Sequence, residues 1–141
     1  DEGLTYTWSG IKMTPLPWTE PLQKIRELVE KACETKFNTV LLNLYRDGSD
    51  TVSWHMDNER ELGKNPTIGS VSFGAERDFM LRHVSRADLD DVTISLPDGS
   101  LLVMAGATQE YWKHSLPRRK RVTGERINLT FRFMHEATRL G

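Results

Sequence analysis

The sequence predicts an α+β domain, with one helix beside many short antiparallel strands that form a two-sheet sandwich or open barrel. Three observations carry that expectation. One stretch, residues 19–34, has helical periodicity, nearly everything after it reads as short strands, and turn signals separate those strands at short spacing. The 141 residues suit a single domain, because a chain of about 150 residues buries about 70% of its unfolded surface and needs no staple. Charged residues make up 28% and nearly balance, at net −1, which excludes a disordered or broadly polycationic chain. A nucleic-acid ligand would therefore have to use a local basic patch.

The helix is expected from its ends and its stripe. Thr19 suits the N-cap, Glu20 and Pro21 suit the first turn, and Leu22, Ile25, Leu28, Val29 and Ala32 form the apolar side. Cys33, the lone cysteine, falls on that side and reads as a small core hydrophobe. With no internal disulfide possible, a reducing, intracellular setting is expected, whether bacterial cytoplasm or eukaryotic nucleus. Trp18, just before the helix, reads as a staple-like packing contact. No apolar run approaches the roughly 20 residues that span a bilayer, so no membrane partner is expected. The chain starts at Asp1 without a methionine or signal-like segment, which suggests a piece of a longer protein.

Strands are expected at 39–45, 52–55, 67–73, 79–83, 92–96, 101–104 and 126–133, with turns at Arg46-Asp47-Gly48 and Pro97-Asp98-Gly99. Two of them carry more than fold information. In the last, Ile127, Leu129, Phe131 and Phe133 alternate strictly with Arg126, Asn128, Thr130 and Arg132. The ordinary meaning of such alternation is one dry face and one wet face. In the first, Asn43 and Tyr45 share a face opposite Leu42 and Leu44. An Asn inside an apolar strand must be hydrogen-bonded, or it costs about 1–3 kcal/mol, so something polar is expected beside it.

The chemistry centres on Trp54-His55-Met56-Asp57, where His55 and Asp57 share a face if the backbone is extended, and on His114 after a long excursion. Two imidazoles and a carboxylate on one side of a metal leave the other positions open, which suits Fe(II). A structural zinc site would want four protein ligands, usually including cysteines. Downstream, Arg126 and Arg132 lie on one strand face, and arginine binds a carboxylate through two parallel hydrogen bonds. A buried arginine pair without an anion is costly, which points to a bound acid or to partner carboxylates.

Asn43-x-Tyr45, His55-x-Asp57, His114 and Arg126-x-Asn128-x-Thr130-Phe131-Arg132 together resemble the motif set of the AlkB family of Fe(II)- and 2-oxoglutarate-dependent nucleic-acid dealkylases. The likeness runs from Gly3-Leu4-Thr5-Tyr6-Thr7-Trp8 to Arg132 and is greatest to the eukaryotic-type members that repair duplex DNA. It implies a double-stranded β-helix (jelly-roll) core with one or two supporting N-terminal helices. It also implies that residues 1–141 are one catalytic domain, with a nucleotide-recognition segment lying N-terminal to it. By the same resemblance His55, Asp57 and His114 hold Fe(II). Arg126 pairs with the distal carboxylate of 2-oxoglutarate, helped by Tyr45 and Asn128, while Arg132 and Asn43 lie near the chelating end. Trp8 stacks on the damaged base, Tyr6 lines the pocket, and Glu59 accepts a hydrogen bond from the exocyclic amine. The implied reaction uses Fe(II), 2-oxoglutarate and O2 to hydroxylate an N-methyl group on methylated DNA or RNA, and a monomer is expected.

The run Arg118-Arg119-Lys120-Arg121 follows His114 and is expected at the rim of the site, contacting phosphate; Arg77 and Arg82 either join it or lie on an exposed strand face. His83 and His135 match no ligand spacing and read as surface residues. Two other functions fit less of the sequence. One is the same iron chemistry on a protein or small molecule, against which Trp8, Glu59 and the basic run argue. The other is a non-catalytic metal- or carboxylate-binding jelly roll, against which the intact ligands and arginines argue.

Overall fold

The computed structural model describes residues 1, 6–8 and 11–135, with backbone alone at 6–8 and 11–13. A hairpin comes first, β1 (Tyr6–Trp8) paired antiparallel with β2 (Ile11–Met13). Helix α1 (Glu20–Cys33) follows, capped as its sequence predicts. The Thr19 side chain accepts from Leu22 N–H, and Glu34, with φ 53°, ends the helix in the left-handed region.

Eight strands form the body of the molecule. They are β3 (Thr39–Tyr45), β4 (Val52–His55), β5 (Ile68–Gly74), β6 (Arg77–His83), β7 (Val92–Leu96), β8 (Ser100–Met104), β9 (Trp112–Leu116) and β10 (Arg126–Arg132). A single helical turn, α2 (Thr108–Tyr111), leads into β9. The chain deals these strands between two antiparallel sheets, ordered β3-β10-β5-β8 and β4-β9-β6-β7. This is the double-stranded β-helix. All seven expected strands are present, with ends shifted by at most two residues. Besides the β1–β2 hairpin, the strand not expected is β9, whose Trp-Lys-His-Ser-Leu sequence has only a weak apolar signal and is extended because it pairs with β4 and β6 on its two sides.

Two apolar clusters hold the layers together. Tyr45, Ile68 and Met104 from one sheet meet Phe79, Leu96 and Leu116 from the other, filling the space between the sheets. On the outer face of the first sheet, α1 lies over Val71, Leu129 and Phe131, with Trp18 stacked at 6.3 Å on the Phe131 ring. The helix stripe is therefore Leu22, Ile25, Val29 and Cys33, while Leu28 is 69% exposed and Ala32 is also exposed. Both rotational choices fit the periodicity. The flat strand surface beneath the helix selected the one that seats Val29 and Cys33 beside Gly69, where a Cβ would come within 2.7 Å of Val29.

The alternation of β10 is preserved, but its polar side does not face water. Arg126, Asn128 and Thr130 are buried between the sheets, and the apolar side packs on α1 only at Leu129 and Phe131, leaving Ile127 exposed. Arg77 also departs from expectation: it is 1% exposed, because β6 turns it inward beneath the 46–50 turn and Pro117. Arg82 lies on the outside, as expected, over the Trp54 ring and paired with Asp91. His83 is only half-buried, its Nδ1 accepting from the N–H groups of Ser85 and Arg86 and its ring against Tyr111 and Trp112.

Phe131→Ala should lower unfolding free energy by about 3–5 kcal/mol, as for large buried aromatics. Leu28→Ala should stay within about 0.5 kcal/mol. Urea midpoints compared at equal slope will check both, and a large loss at Leu28 would mean that the helix presents its other face to the sheet.

Candidate metal centre and cosubstrate cavity

The space between the sheets is not completely filled. A cavity of about 120 Å³ opens there, lined by side chains of both sheets that include Asn43, Tyr45, His55, Asp57, His114, Arg126, Asn128, Thr130 and Arg132. Each expected metal and cosubstrate residue thus meets the others in one place.

The local backbone explains how His55 reaches it. In the β4–β9 pairing, Val52 lies opposite Leu116 and His55 opposite His114, so β4 advances three residues where β9 advances two. That bulge cancels the parity of the strand and turns both Val52 and His55 into the cavity. Asp57 follows in irregular chain, held by its N–H, which donates to Oε1 of Gln109 at 2.8 Å. His114 lies mid-strand, its ring 5.2 Å from Phe79 and 4.2 Å from His55.

Ligand atoms of His55, Asp57 and His114 all lie within 4.8 Å of one another. His55 Nδ1 donates to the Ser53 carbonyl at 2.7 Å, so its lone pair is on Nε2, 3.8 Å from Asp57 Oδ1. Asp57 Oδ2 accepts from Arg132 Nη2 at 2.9 Å. Burial pulls the Asp57 carboxyl upward, but Arg132 and the two imidazoles outweigh it and hold it below the usual carboxylate range. Burial drives His114 down, with Asp57 opposing and His55 and Arg132 adding to the fall, so His114 is neutral at neutral pH. Nδ1 of His114 is buried without a hydrogen-bond partner. A deprotonated carboxylate and two imidazoles, with nothing else ligating among the described residues, fit a divalent iron that keeps open positions.

Toward Arg126, at the other end of β10 from Arg132, the cavity changes character. Arg126 is 2% exposed, donates to Ser72 Oγ at 2.9 Å, lies 5.1 Å from the Tyr45 ring, and has a buried Nε with no partner. It forms no ion pair among the described residues, so an acid's carboxylate fits there. Asn128 is engaged already: its amide donates to Ser70 Oγ and the Val71 carbonyl, and its Oδ1 accepts from Thr130 Oγ1. No amide hydrogen is left for a bound acid, and Asn128 instead fixes the hydroxyls around the cavity.

The expected substrate residues are placed less evenly. Glu59 precedes a 3-10 turn (Arg60–Leu62), and its Oε2 is buried and unpartnered. The side chains of Tyr6 and Trp8 lie outside the described residues. In the basic run, Arg119 is paired with Asp78 at 2.8 Å, whereas Arg118, Lys120 and Arg121 are exposed. The run packs beside the 46–50 turn, where Gly48 exchanges backbone hydrogen bonds with Arg119 and Val122. That turn lies at the Arg126 end of the cavity, because Tyr45 pairs with Arg126.

Three residues receive a role only from the structure: Gln109, Ser70 and Ser72. The serines had a visible signal, alternate hydroxyls inside an otherwise apolar strand, of the kind that marked Asn43. Gln109 had none, because its partner is a backbone N–H 52 residues away.

A facial His-Asp-His set in the mouth of a jelly roll defines a mononuclear site of the non-haem oxygenase type. Residues 1–132 match the family model of the 2OG-Fe(II) oxygenase superfamily, and the chain belongs to that superfamily, within its AlkB branch. It is 48% identical over 138 residues to the DNA oxidative demethylase ALKBH2 of Mus musculus and of Homo sapiens, covering 94% of this chain and 58% and 53% of those proteins. It is 40% identical over 140 residues to the alpha-ketoglutarate-dependent dioxygenase alkB homolog 3 of Homo sapiens, covering 94% of this chain and 49% of that one. The chain spans about half the length of the curated relatives it matches. Among solved structures, that of OsALKBH1 superposes with a TM-score of 0.62 at 20% identity, over 85% of this chain and 66% of that one, a likeness of fold.

Replacing His55, Asp57 or His114 with Ala should each abolish stoichiometric Fe(II) binding in anaerobic titration, with unfolding still cooperative. Gln109→Leu leaves the Asp57 N–H without its acceptor and should weaken metal affinity by roughly 10- to 100-fold, as loss of a ligand's supporting partner does. Unchanged affinity in that variant would mean that Asp57 is positioned by Arg132 alone.

Proposed function

We propose that this chain is the catalytic domain of an Fe(II)- and 2-oxoglutarate-dependent dioxygenase that removes N-linked methyl groups from bases such as 1-methyladenine and 3-methylcytosine in DNA or RNA. The observation that carries the reading is one cavity with a His-Asp-His set at one end and a buried guanidinium without a carboxylate at the other.

Iron, 2-oxoglutarate and O2 supply the oxidation when bound: one oxygen atom enters a methyl C–H bond, and the other ends in succinate as CO2 leaves. The N–CH2OH bond then breaks, formaldehyde departs, and the base nitrogen regains its ordinary valence. His55, Asp57 and His114 hold the metal. Arg132 neutralises the Asp57 oxygen turned from His55, so the carboxylate is fixed before any ligand arrives. Arg126 and Tyr45 receive the distal carboxylate, while Asn43 and Arg132 border the chelating end. The unpaired Glu59 oxygen is the acceptor for an exocyclic amine. Trp8 and Tyr6 are assigned to the base through the family resemblance, and Arg118 and Arg121 are the exposed cations for phosphate. The curated relatives named as DNA oxidative demethylases support this substrate class.

Mass spectrometry of methylated oligonucleotides incubated with Fe(II), ascorbate and 2-oxoglutarate should show loss of the methyl group with equimolar succinate and formaldehyde. Succinate release that no methylated base stimulates would sink the substrate class. Arg126→Lys replaces a two-pronged donor with a point charge and should raise the 2-oxoglutarate requirement by roughly 10- to 150-fold. Single strands should react faster than matched duplexes, since flipping a paired base costs a few kcal/mol. Trp8→Ala should weaken demethylation while leaving uncoupled 2-oxoglutarate turnover intact.

A further inference from the structure

Behind the Arg126 end of the cavity lies a second buried cation. Arg77 on β6 makes three hydrogen bonds, all to backbone carbonyls: Nη1 to Asp47 at 3.0 Å, and Nη2 to Asp50 and to Pro117, each at 2.9 Å. Its Nε is buried without a partner. Carbonyl oxygens solvate the charge but do not cancel it, and no carboxylate among the described residues forms an ion pair with it. The neighbouring carboxylates are engaged elsewhere, Asp50 with Arg46, Asp47 with Ser49, and Asp78 with Arg119.

Arg77 and Arg126 meet at one ring. The guanidinium carbons lie 5.8 Å and 5.1 Å from the centroid of Tyr45, within cation–π range. Two buried guanidiniums, one lining this end of the cavity and one behind it, thus form no ion pair among the described residues, although the Asp47 and Asp50 carboxylates act on Arg77 from a distance, whereas the metal end carries the closed Arg132–Asp57 pair. If Arg77 served only to tie the 46–50 turn to Pro117, a neutral donor would do so without the cost of a buried charge that has no ion pair.

We infer that Arg77 is a positioning residue for the distal carboxylate of the cosubstrate. It holds Tyr45 toward Arg126 and supplies a second positive charge, so that this end selects a 2-oxo diacid over a 2-oxo monoacid. The inference rests on reading the cavity as the 2-oxoglutarate site. The test compares 2-oxoglutarate with 2-oxopentanoate, which has the same chain with a methyl in place of the distal carboxylate. Binding of each is measured by anaerobic calorimetry on the Fe(II)-loaded protein.

In Arg77→Gln, which removes the charge but keeps donors, the affinity ratio of diacid to monoacid should fall roughly tenfold, with monoacid affinity nearly unchanged. In Arg77→Lys, which keeps the charge, most of the ratio should return. Equal losses for both acids in Arg77→Gln would mean a scaffold role and overturn the inference, as would an unchanged ratio. A ratio abolished in Arg77→Lys would also overturn it, which keeps the test decisive should Arg77→Gln fail to fold. Failure of the wild-type protein to bind 2-oxoglutarate at all would overturn the cosubstrate reading itself, and this inference with it.

Discussion

One face of β10 turns Arg126, Asn128, Thr130 and Arg132 into the space between two sheets, and each has to be satisfied there. A buried polar group left unpaired costs about 1–3 kcal/mol, and a buried charge more. The arrangement around β10 answers that constraint. Ser70 and Ser72, on the neighbouring strand β5, take the Asn128 amide and the Arg126 guanidinium; Asn128 in turn accepts from Thr130; and Arg132 meets Asp57. The one cation that the strand's neighbours do not neutralise is Arg126, at the end where an acid fits.

The metal end follows from the same constraint. Asp57 sits in irregular chain, which by itself would not hold a ligand in place. Arg132 fixes one carboxylate oxygen and Gln109 fixes the backbone, so a loop residue is held by two rigid elements. His55 is fixed by the β4 bulge and by its Nδ1 bond to Ser53, and the His114 ring by contact with Phe79. A pre-set donor geometry lets metal binding proceed without ordering the chain at the same moment.

The outer side of the same sheet shows how the fold separates roles. Leu129 and Phe131 point away from the cavity into the cluster beneath α1, so one strand carries core packing on one face and chemistry on the other. The helix packs on Val71, Leu129 and Phe131, on the side of the sheet turned away from the cavity. It braces β10 from behind, which steadies the arginines without entering the site. Arg77 plays a comparable part from the opposite sheet, tying the turn after β3 to the chain after β9.

Much of this was legible in the residues. Thr19 and Pro21 announced the helix start, short strand-like runs between turn signals announced seven strands, and His55-x-Asp57 with His114 and the paired arginines announced the site, because these signals are local or repeat over many segments. The direction in which each face points was not legible. Alternation along β10 says that Arg126 and Leu129 face opposite ways, but the sign depends on which side the second sheet covers. The helix turns Leu28 outward for the same reason, since only the packed sheet chooses between rotations. The sequence allows Arg77 either a place in the basic rim or an exposed strand face, and the 46–50 turn and Pro117 instead close over it, while Gln109 carries no mark at all. Local sequence determines which elements form and which chemistry they carry, through backbone preferences and periodicity. Burial, charge pairing and a one-residue bulge depend on partners dozens of positions away, and only the tertiary structure brings those together.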